Sequence, residues 1–198
     1  MNIILDVDGT LVDGDGYNVW SRPFLKEFIE FCFATFLTVS IWTAANEDWY
    51  QLVYQSTLKA LIPPHKSFLF VFTGNRCVSE TDWDAIESGE FYPRTISVKP
   101  LSKVWRKFKQ LNRHNTLIVD NTCTTFSRNF GNAIPIDTFE RQDTADRELL
   151  KLMQWIPGIV KLNTVRHTEK RFWSVEMEDN KEASVAINSK QTCPKQTQ

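Results

Sequence analysis

Two aspartates at the end of the first apolar segment are the residues of this chain best suited to chemistry. Asp6 and Asp8 follow the apolar run 2–5 and are separated by one residue. Because side chains alternate faces along an extended strand, both carboxylates can point to the same side. Two like charges at short range repel, and the common solutions are a bound cation or one protonated carboxyl group. The pair therefore predicts metal binding or acid–base chemistry, and its structural alternative is a solvated acidic turn.

Other polar residues follow later apolar segments in the same way. Thr43 comes directly after the run 39–42, and Asp120 and Asn121 come after the run 116–119. In parallel α/β sheets, ligands bind beyond the carboxyl ends of the strands, so we expect these side chains to meet at one sheet edge. The alternative for Asp120 and Asn121 is an Asx turn that closes a buried strand. Thr43, taken alone, is also an ordinary strand-end residue.

Alternating apolar strands and amphipathic helical patterns must position these side chains. Pro23 is typical of a first helical turn, and Asn46 is a good N-cap for the helix that follows it. The predicted strands span 2–7, 37–42, 68–72, 116–120 and 133–136, and the predicted helices span 23–35, 47–61, 102–112 and 144–156. This alternation predicts an α/β fold with a central, mostly parallel sheet and crossover helices.

Composition limits the number of domains and the classes of partner. The chain has 198 residues, of which 42% are hydrophobic, and a formal net charge of −1. This length favours one substantial core, so residues 1–177 are predicted to form one domain. Residues 178–198 are polar and are predicted to form a disordered tail. The nearly balanced charge provides no global attraction to nucleic acid or to an anionic membrane.

Targeting and redox signals are also weak. No apolar run approaches the roughly 20 residues that a membrane span needs. The first predicted strand begins directly after Met1, which leaves no room for a signal peptide, so we expect a soluble, intracellular protein. The four cysteines lack C-x-x-C spacing and indicate neither a zinc cluster nor a disulfide framework, and we expect Cys77 and Cys123 to be small core residues.

The order of these motifs resembles the haloacid dehalogenase (HAD) superfamily, whose fold is a Rossmann-like α/β sheet. The matching motifs are D-x-D-G-T-L from Asp6, Thr43 at the end of the next strand, Lys99, and the Asp120-Asn121 pair. Five segments also resemble, in order, the FCP/SCP-type phosphatases of the RNA polymerase II C-terminal domain, or NLI-interacting-factor-like family. They are Arg22-Pro23-Phe24-Leu25-Lys26-Glu27-Phe28, Trp42-Thr43-Ala44-Ala45, Lys99-Pro100-Leu101-Ser102, Val119-Asp120-Asn121 and Asn132-Ala133-Ile134-Pro135-Ile136. Five ordered segments are a far more specific signal than one D-x-D run.

The resemblance implies a magnesium-dependent phosphatase with an aspartate nucleophile. Asp6 would attack phosphorus and form an aspartyl-phosphate, while Asp8 would act as the acid–base partner. Thr43, Ala44 and Lys99 would contact the phosphoryl group, and Lys99 would offset its charge. Without the resemblance, Lys99 is more simply explained as a solvated side chain, one of the 23 lysines and arginines of the chain.

The resemblance also implies which residues hold Mg²⁺. The Asp6 carboxylate, the Asp8 backbone carbonyl and the Asn121 side chain are oxygen ligands of the kind that Mg²⁺ prefers. Asp120 lies adjacent and is either a further contributor to the metal site or the residue that orients Lys99.

The spacing of the motifs limits the size of any lid over the site. Only 34 residues separate Asp8 from Thr43, which excludes a large cap domain there. The 55 residues between Thr43 and Lys99 leave the segment 74–96 for a small insertion, such as a hairpin. An open site favours a phosphate presented on a macromolecule, and protein phosphoserine or phosphothreonine is the leading substrate class. A polymerase substrate would place the protein in the nucleus rather than the cytoplasm.

Departures from the family leave the substrate open. The segment 13–21 is shorter than the hairpin that helps to build a substrate-proline pocket in many relatives, although Tyr17 and Trp20 are candidate aromatic replacements. One alternative is a HAD phosphatase for a nucleic-acid end or a small phosphate ester, and another is a non-catalytic binding protein with this fold. The basic residues between 103 and 113 fit a solvated helix face better than a nucleic-acid patch, so no direct nucleic-acid binding is expected.

Overall fold

A parallel five-stranded sheet forms the centre of the chain in a computed structural model that describes residues 1–83, 91–129, 131–162 and 164–174. In chain order the strands are β1 Asn2–Leu5, β2 Val12–Gly14, β3 Val19–Ser21, β4 Thr38–Trp42, β5 Val71–Phe72, β6 Val78–Asp82, β7 Arg94–Val98, β8 Thr116–Asp120 and β9 Ala133–Pro135. The central sheet has the order β5-β4-β1-β8-β9, and each neighbouring pair of these strands is parallel. The predicted α/β class with a mostly parallel sheet is confirmed.

Helices cover both faces of this sheet. They are α1 Leu25–Thr35, α2 Glu47–Val53, α3 Lys59–Leu61, α4 Leu101–Lys107 and α5 Glu148–Val160, and a π-helical turn, Tyr54–Leu58, joins α2 to α3. Ile3 and Leu5 of β1 belong to a core that includes α1 and α5, whereas Ile4 belongs to a second core with α4. Because side chains alternate along β1, this strand contributes to two apolar layers, one on each face of the sheet.

Helices α1 and α4 each have a boundary that differs from the predicted one because tertiary packing overrides local signals. Helix α1 begins at Leu25 rather than at residue 23, since Phe24 adopts a left-handed conformation with φ 64°. Helix α4 ends at Lys107 rather than at residue 112, because Phe108 leaves the helix and stacks on Phe70 with ring centroids 4.8 Å apart. Helix α4 is amphipathic, as predicted, and Leu101 and Val104 lie on its buried face.

Helix α5 is shifted toward the C-terminus. It spans Glu148–Val160 instead of 144–156 and continues past Pro157. Proline usually ends a helix, but the last turn of α5 carries Ile159, which is buried in the core. Burial of this side chain favours helix continuation despite the hydrogen bond that proline cannot donate.

Two antiparallel hairpins flank the central sheet. The segment 13–21 contributes to the hairpin of β2 and β3, and the predicted insertion between residues 74 and 96 contains β6 paired with β7. No large cap lies within the described ranges, in agreement with the motif spacing. Residues 84–90 of the insertion and the predicted tail 178–198 lie outside the described residues, so the proposed domain boundary at 177 stays a prediction.

Cys77 and Cys123, both expected in the core, differ in exposure. Cys123 is exposed, so its prediction as a core residue is wrong, whereas Cys77 is partly buried. Cys123 belongs to the loop that follows β8, which runs along the surface beside the predicted site.

None of the helices in the described ranges combines the length and apolarity that a membrane crossing requires.

Candidate active site

The carboxyl ends of three neighbouring strands bring the predicted polar residues together. Asp6 follows β1, Thr43 follows β4 and Asp120 ends β8, and β1 lies between the other two strands. Lys99 reaches the same edge from the end of β7. These side chains surround a cavity of about 280 Å³ lined by Asp6, Asp8, Thr43, Ala44, Ala45, Lys99, Asp120, Thr122 and Thr125. The predicted convergence at one sheet edge is therefore present.

Lys99 bridges two carboxylates at the floor of this cavity. Its Nζ lies 2.5 Å from Asp6 Oδ1 and 2.7 Å from Asp120 Oδ2, and Lys99 is 1% exposed. The backbone of Lys99 is fixed as well, since its N–H donates to Thr125 O at 2.6 Å and its carbonyl accepts from Asn129 Nδ2 at 2.8 Å. A buried, doubly paired ammonium is not a solvated surface lysine, and it provides a fixed positive charge next to Asp6.

Burial and charge act in opposite directions on the two ionisable partners. Burial raises the pKa of Asp6 to about 7, with Lys99 opposing this rise and Asp120 adding to it. Burial by itself would lower the pKa of Lys99, but the negative charges of Asp6 and Asp120 outweigh it and raise that pKa overall. Lys99 is therefore held in its charged form. A second cation beside Asp6 would favour the ionised carboxylate that a nucleophile requires.

Asp120 uses its two oxygens for different partners. Oδ2 accepts from Lys99, and Oδ1 accepts from the backbone N–H of Thr122 at 2.9 Å, which forms an Asx turn. The Asx turn that the sequence offered as an alternative is present, and it coexists with the contact to Lys99. Since both oxygens have donors, the arrangement favours the orientation of Lys99 over direct metal ligation by Asp120.

The Asp8 carboxylate is held by two donors on the opposite side of the cavity. Thr43 Oγ1 donates to Oδ2 at 3.0 Å, and the indole Nε1 of Trp49 donates to Oδ1. The Thr43 hydroxyl also accepts from the Ala45 N–H at 3.0 Å. Trp49 was not among the predicted site residues. The only sequence signal for it was its place three residues after the predicted N-cap Asn46, which marks a helical turn but no chemistry.

The Asn121 amide tests whether a cation fits beside Asp6. One end of this amide lies 3.1 Å from the Asp8 carbonyl oxygen and 3.3 Å from Asp6 Oδ2. The other end lies 2.9 Å from the hydroxyl of Thr138, which can donate or accept. With its nitrogen inward, Asn121 donates to these oxygens. With its oxygen inward, the amide oxygen lies 3.1 Å and 3.3 Å from two other oxygens, close to the roughly 3 Å between neighbouring ligands of octahedral Mg²⁺. The donor set therefore fits Mg²⁺.

A buried cluster supports the loop that carries Asp6 and Asp8. Thr10 Oγ1 donates to Asp6 Oδ2 at 3.1 Å. Arg22 donates to the carbonyls of Gly9 and Thr10 and forms a two-pronged ion pair with Asp146, with distances of 3.0 and 2.7 Å. The pairing of Arg22 with Asp146 was not predicted, because a single sequence contains no signal that joins residues 124 positions apart.

Two open grooves lead away from the cavity. One, of about 450 Å³, runs past Ala45 and Trp49 between α2 and the hairpin tip at Gly16. The other, of about 490 Å³, lies between the β2–β3 hairpin and residues 137–142, next to Asp8 and Asn121. Each groove shares one lining residue with the cavity, Ala45 in the first and Asp8 in the second.

Comparisons with known proteins give matches to a family model, to curated proteins and to a solved structure. The chain matches the family described as NLI interacting factor-like phosphatase over residues 1–166. Ubiquitin-like domain-containing CTD phosphatase 1 is 28% identical over 183 residues in Bos taurus and 26% over 179 residues in Danio rerio; each match covers 86% of this chain and 53% of the relative. The chain thus spans about half the length of these curated relatives. A crystal structure of an uncharacterized protein from Listeria monocytogenes serotype 4b shares the fold, with TM-score 0.53, 14% identity and coverage of 81% of this chain and 99% of that chain.

Proposed function

Because the chain belongs to the NLI interacting factor-like phosphatase family, within the HAD superfamily, we propose that it is a Mg²⁺-dependent protein phosphatase with Asp6 as its nucleophile. One observation carries the proposal: the buried contact of Lys99 with Asp6 and Asp120 on the floor of an open cavity. A fixed cation beside a carboxylate favours the approach of a negatively charged phosphoryl group to that carboxylate.

The proposed reaction has two steps. In the first, an Asp6 oxygen bonds to phosphorus, the bond from phosphorus to the serine or threonine oxygen breaks, and Asp8 gives a proton to that oxygen. In the second, Asp8 takes a proton from water as the water oxygen attacks phosphorus, which releases phosphate and restores Asp6. Lys99 and the Thr43 hydroxyl offset the negative charge on the phosphoryl oxygens in both steps.

Asp6, the Asp8 carbonyl and Asn121 are the residues that would hold Mg²⁺. When bound there, Mg²⁺ would neutralise phosphoryl charge and favour the ionised form of Asp6. Asp120 in this account orients Lys99, since its oxygens are engaged by Lys99 and by the backbone of residue 122. Ala44 lines the cavity next to Thr43 and is the proposed further contact of the phosphoryl group.

The open shape of the site supports a phosphorylated protein as the substrate. Two grooves border the cavity at Ala45 and at Asp8, which suits an extended peptide with phosphoserine or phosphothreonine at its centre. The curated relatives are named CTD phosphatases. The C-terminal domain of RNA polymerase II is therefore the first candidate partner, and with that substrate the protein would act in the nucleus.

Hydrolysis of p-nitrophenyl phosphate tests the chemistry, and a peptide panel then tests the substrate. We expect turnover with Mg²⁺, loss of turnover with EDTA, and loss in Asp6→Asn, whereas Asp143→Asn, on the exposed surface, should retain it. Activity of Asp6→Asn equal to that of the wild type would refute the mechanism. The panel compares polymerase-repeat peptides phosphorylated at different serines with unrelated phosphopeptides and a 3′-phosphorylated oligonucleotide. Preferential turnover of the oligonucleotide would refute the protein substrate.

A further inference from the structure

Trp49 contacts the acid–base residue directly. Its Nε1 donates to Asp8 Oδ1, and the only other side-chain donor to this carboxylate in the described ranges is Thr43, 3.0 Å from Oδ2. An indole N–H can donate a hydrogen bond but cannot accept one. The two oxygens of Asp8 are therefore not equivalent. Oδ1 faces an N–H that can only donate a hydrogen bond, whereas Oδ2 faces a hydroxyl that can donate or accept one.

The indole is fixed from two directions. The backbone N–H of Trp49 donates to Asn46 Oδ1 at 2.9 Å, so the residue lies in a capped first turn of α2. The other side of the ring packs against the β2–β3 hairpin, where a Cβ atom at Gly14 would overlap the six-membered ring. This close approach requires glycine at position 14. The hairpin and the helix thus clamp the ring that holds Asp8.

We propose that Trp49 is a positioning residue that holds the Asp8 carboxyl group in the orientation for proton transfer to the leaving group. By binding Oδ1, it leaves Oδ2, beside Thr43, as the oxygen that carries the exchanged proton. The inference rests on the proposed function, because it assigns Trp49 a role in the departure of the serine or threonine oxygen. The proposal also assigns a role to the short β2–β3 hairpin, which packs against Trp49 and so supports Asp8 indirectly.

Leaving groups of different basicity separate this role from simple packing. A serine alkoxide needs a proton to depart, whereas p-nitrophenolate is a stable anion and does not. The comparison uses kcat/KM, which reports the steps up to formation of the aspartyl-phosphate and excludes the later attack of water. For Trp49→Phe we expect kcat/KM to fall about 10- to 100-fold on a phosphoserine peptide, but less than about threefold on p-nitrophenyl phosphate.

Two further variants sharpen the test. Trp105→Phe also removes an indole N–H, but that group has no hydrogen-bond partner among the described residues, so kcat/KM should be unchanged on both substrates. Gly14→Ala pushes on the indole from the hairpin and should reproduce the substrate-dependent loss of Trp49→Phe. It also keeps the proposal testable if Trp49→Phe does not fold, which circular dichroism would detect.

A spectroscopic arm requires no turnover. The indole ¹H–¹⁵N resonance that disappears in Trp49→Phe should shift upfield in Asp8→Ala, because its hydrogen bond is lost, and should not move in Asp143→Ala. An equal fall in kcat/KM on both substrates, no fall on either, or an indole resonance insensitive to Asp8→Ala would each overturn the role of Trp49. Failure of the wild-type protein to hydrolyse either substrate would instead refute the proposed function on which this inference rests.

Discussion

At the scale of single residues, the site is organised by the cost of burying charge. Asp6, Asp120 and Lys99 are all buried, and the three side chains would carry one net negative charge with both carboxylates ionised. Uncompensated buried charge is expensive, so this cluster is suited to a cation on the open side of Asp6. The oxygens of Asp8 and Asn121 lie on that side. The same charge balance explains why Lys99 stays protonated although it is buried.

Thr138 is predicted to tune metal affinity through Asn121. Its hydroxyl binds the outer end of the Asn121 amide and can satisfy either orientation of it. Thr138→Val removes this partner, so the amide oxygen is held less firmly toward the metal. We expect the Kd for Mg²⁺, measured by calorimetry, to rise about tenfold, as for other residues that orient metal ligands.

Thr81→Val, at an exposed position of β6, is the matched control and should leave the Kd for Mg²⁺ unchanged. Equal Mg²⁺ affinity in Thr138→Val and the wild-type protein would contradict the orienting role of the hydroxyl.

Sequence identified the residues with a strand-end position and a family motif, such as Asp6, Asp8 and Asn121. It did not identify Trp49 or Thr138, because their roles depend on which polar atom each side chain meets in space. An indole on a helix and a threonine in a loop have many more common explanations. Contacts between residues distant in sequence are not encoded in any local pattern.

At the scale of secondary-structure elements, one buried ion pair joins the loop that carries Asp6 and Asp8 to the start of α5. Arg22 binds the carbonyls of Gly9 and Thr10 and the carboxylate of Asp146, which also accepts from the Glu148 N–H at 3.0 Å. This connection explains why α5 begins at Glu148 and not at residue 144. Asp146 lies just before the N-cap residue Arg147, and its carboxylate is held by Arg22 and by the Glu148 N–H.

Arg22→Ala is predicted to destabilise the protein strongly. It leaves Asp146 and two loop carbonyls without their buried donor, and breaking one partner of a buried pair costs about 3–5 kcal/mol. The free energy of unfolding from urea denaturation should fall by this amount. Arg128→Ala removes an exposed partner of Glu80 and should cost less than about 1 kcal/mol. Similar losses for the two variants would contradict the structural role of Arg22.

Element types were predictable from periodicity, whereas several ends were not. The 3.6-residue pattern continues through Phe108 and Leu111, and only their packing on the second core shows that α4 stops at Lys107. Conversely, Pro157 suggested an end to α5 that burial of Ile159 overrides. In each case a buried apolar side chain outweighs a local preference of about one to a few kcal/mol.

At the scale of the whole molecule, the core extends well beyond the sheet toward the C-terminal side. Trp173 is 1% exposed, donates from Nε1 to Pro135 O at 2.5 Å and lies 5.7 Å from the Trp155 ring. It thereby joins the end of the described chain to β9 and α5. The architecture of the sheet and its open site followed from the alternation of elements and the motif spacing, but this contact did not.

Trp173→Ala should lower the free energy of unfolding by about 3–5 kcal/mol, since it empties a large buried site. The adjacent Phe172 is 58% exposed, so Phe172→Ala should cost less than about 1 kcal/mol. Chemical denaturation of the two variants measures the difference. A loss for Trp173→Ala no larger than that for Phe172→Ala would show that this segment does not belong to the cooperative core.

Trapping the covalent intermediate tests most directly whether Asp6 is the nucleophile. The protein is mixed with p-nitrophenyl phosphate and Mg²⁺, quenched with acid during turnover and reduced with borohydride, which converts an aspartyl-phosphate to homoserine. Peptide mass spectrometry then locates the modified residue. We predict homoserine at position 6 and none in Asp6→Asn. Modification at Asp8 or at another residue, or full turnover without a trapped aspartyl-phosphate, would contradict Asp6 as the nucleophile.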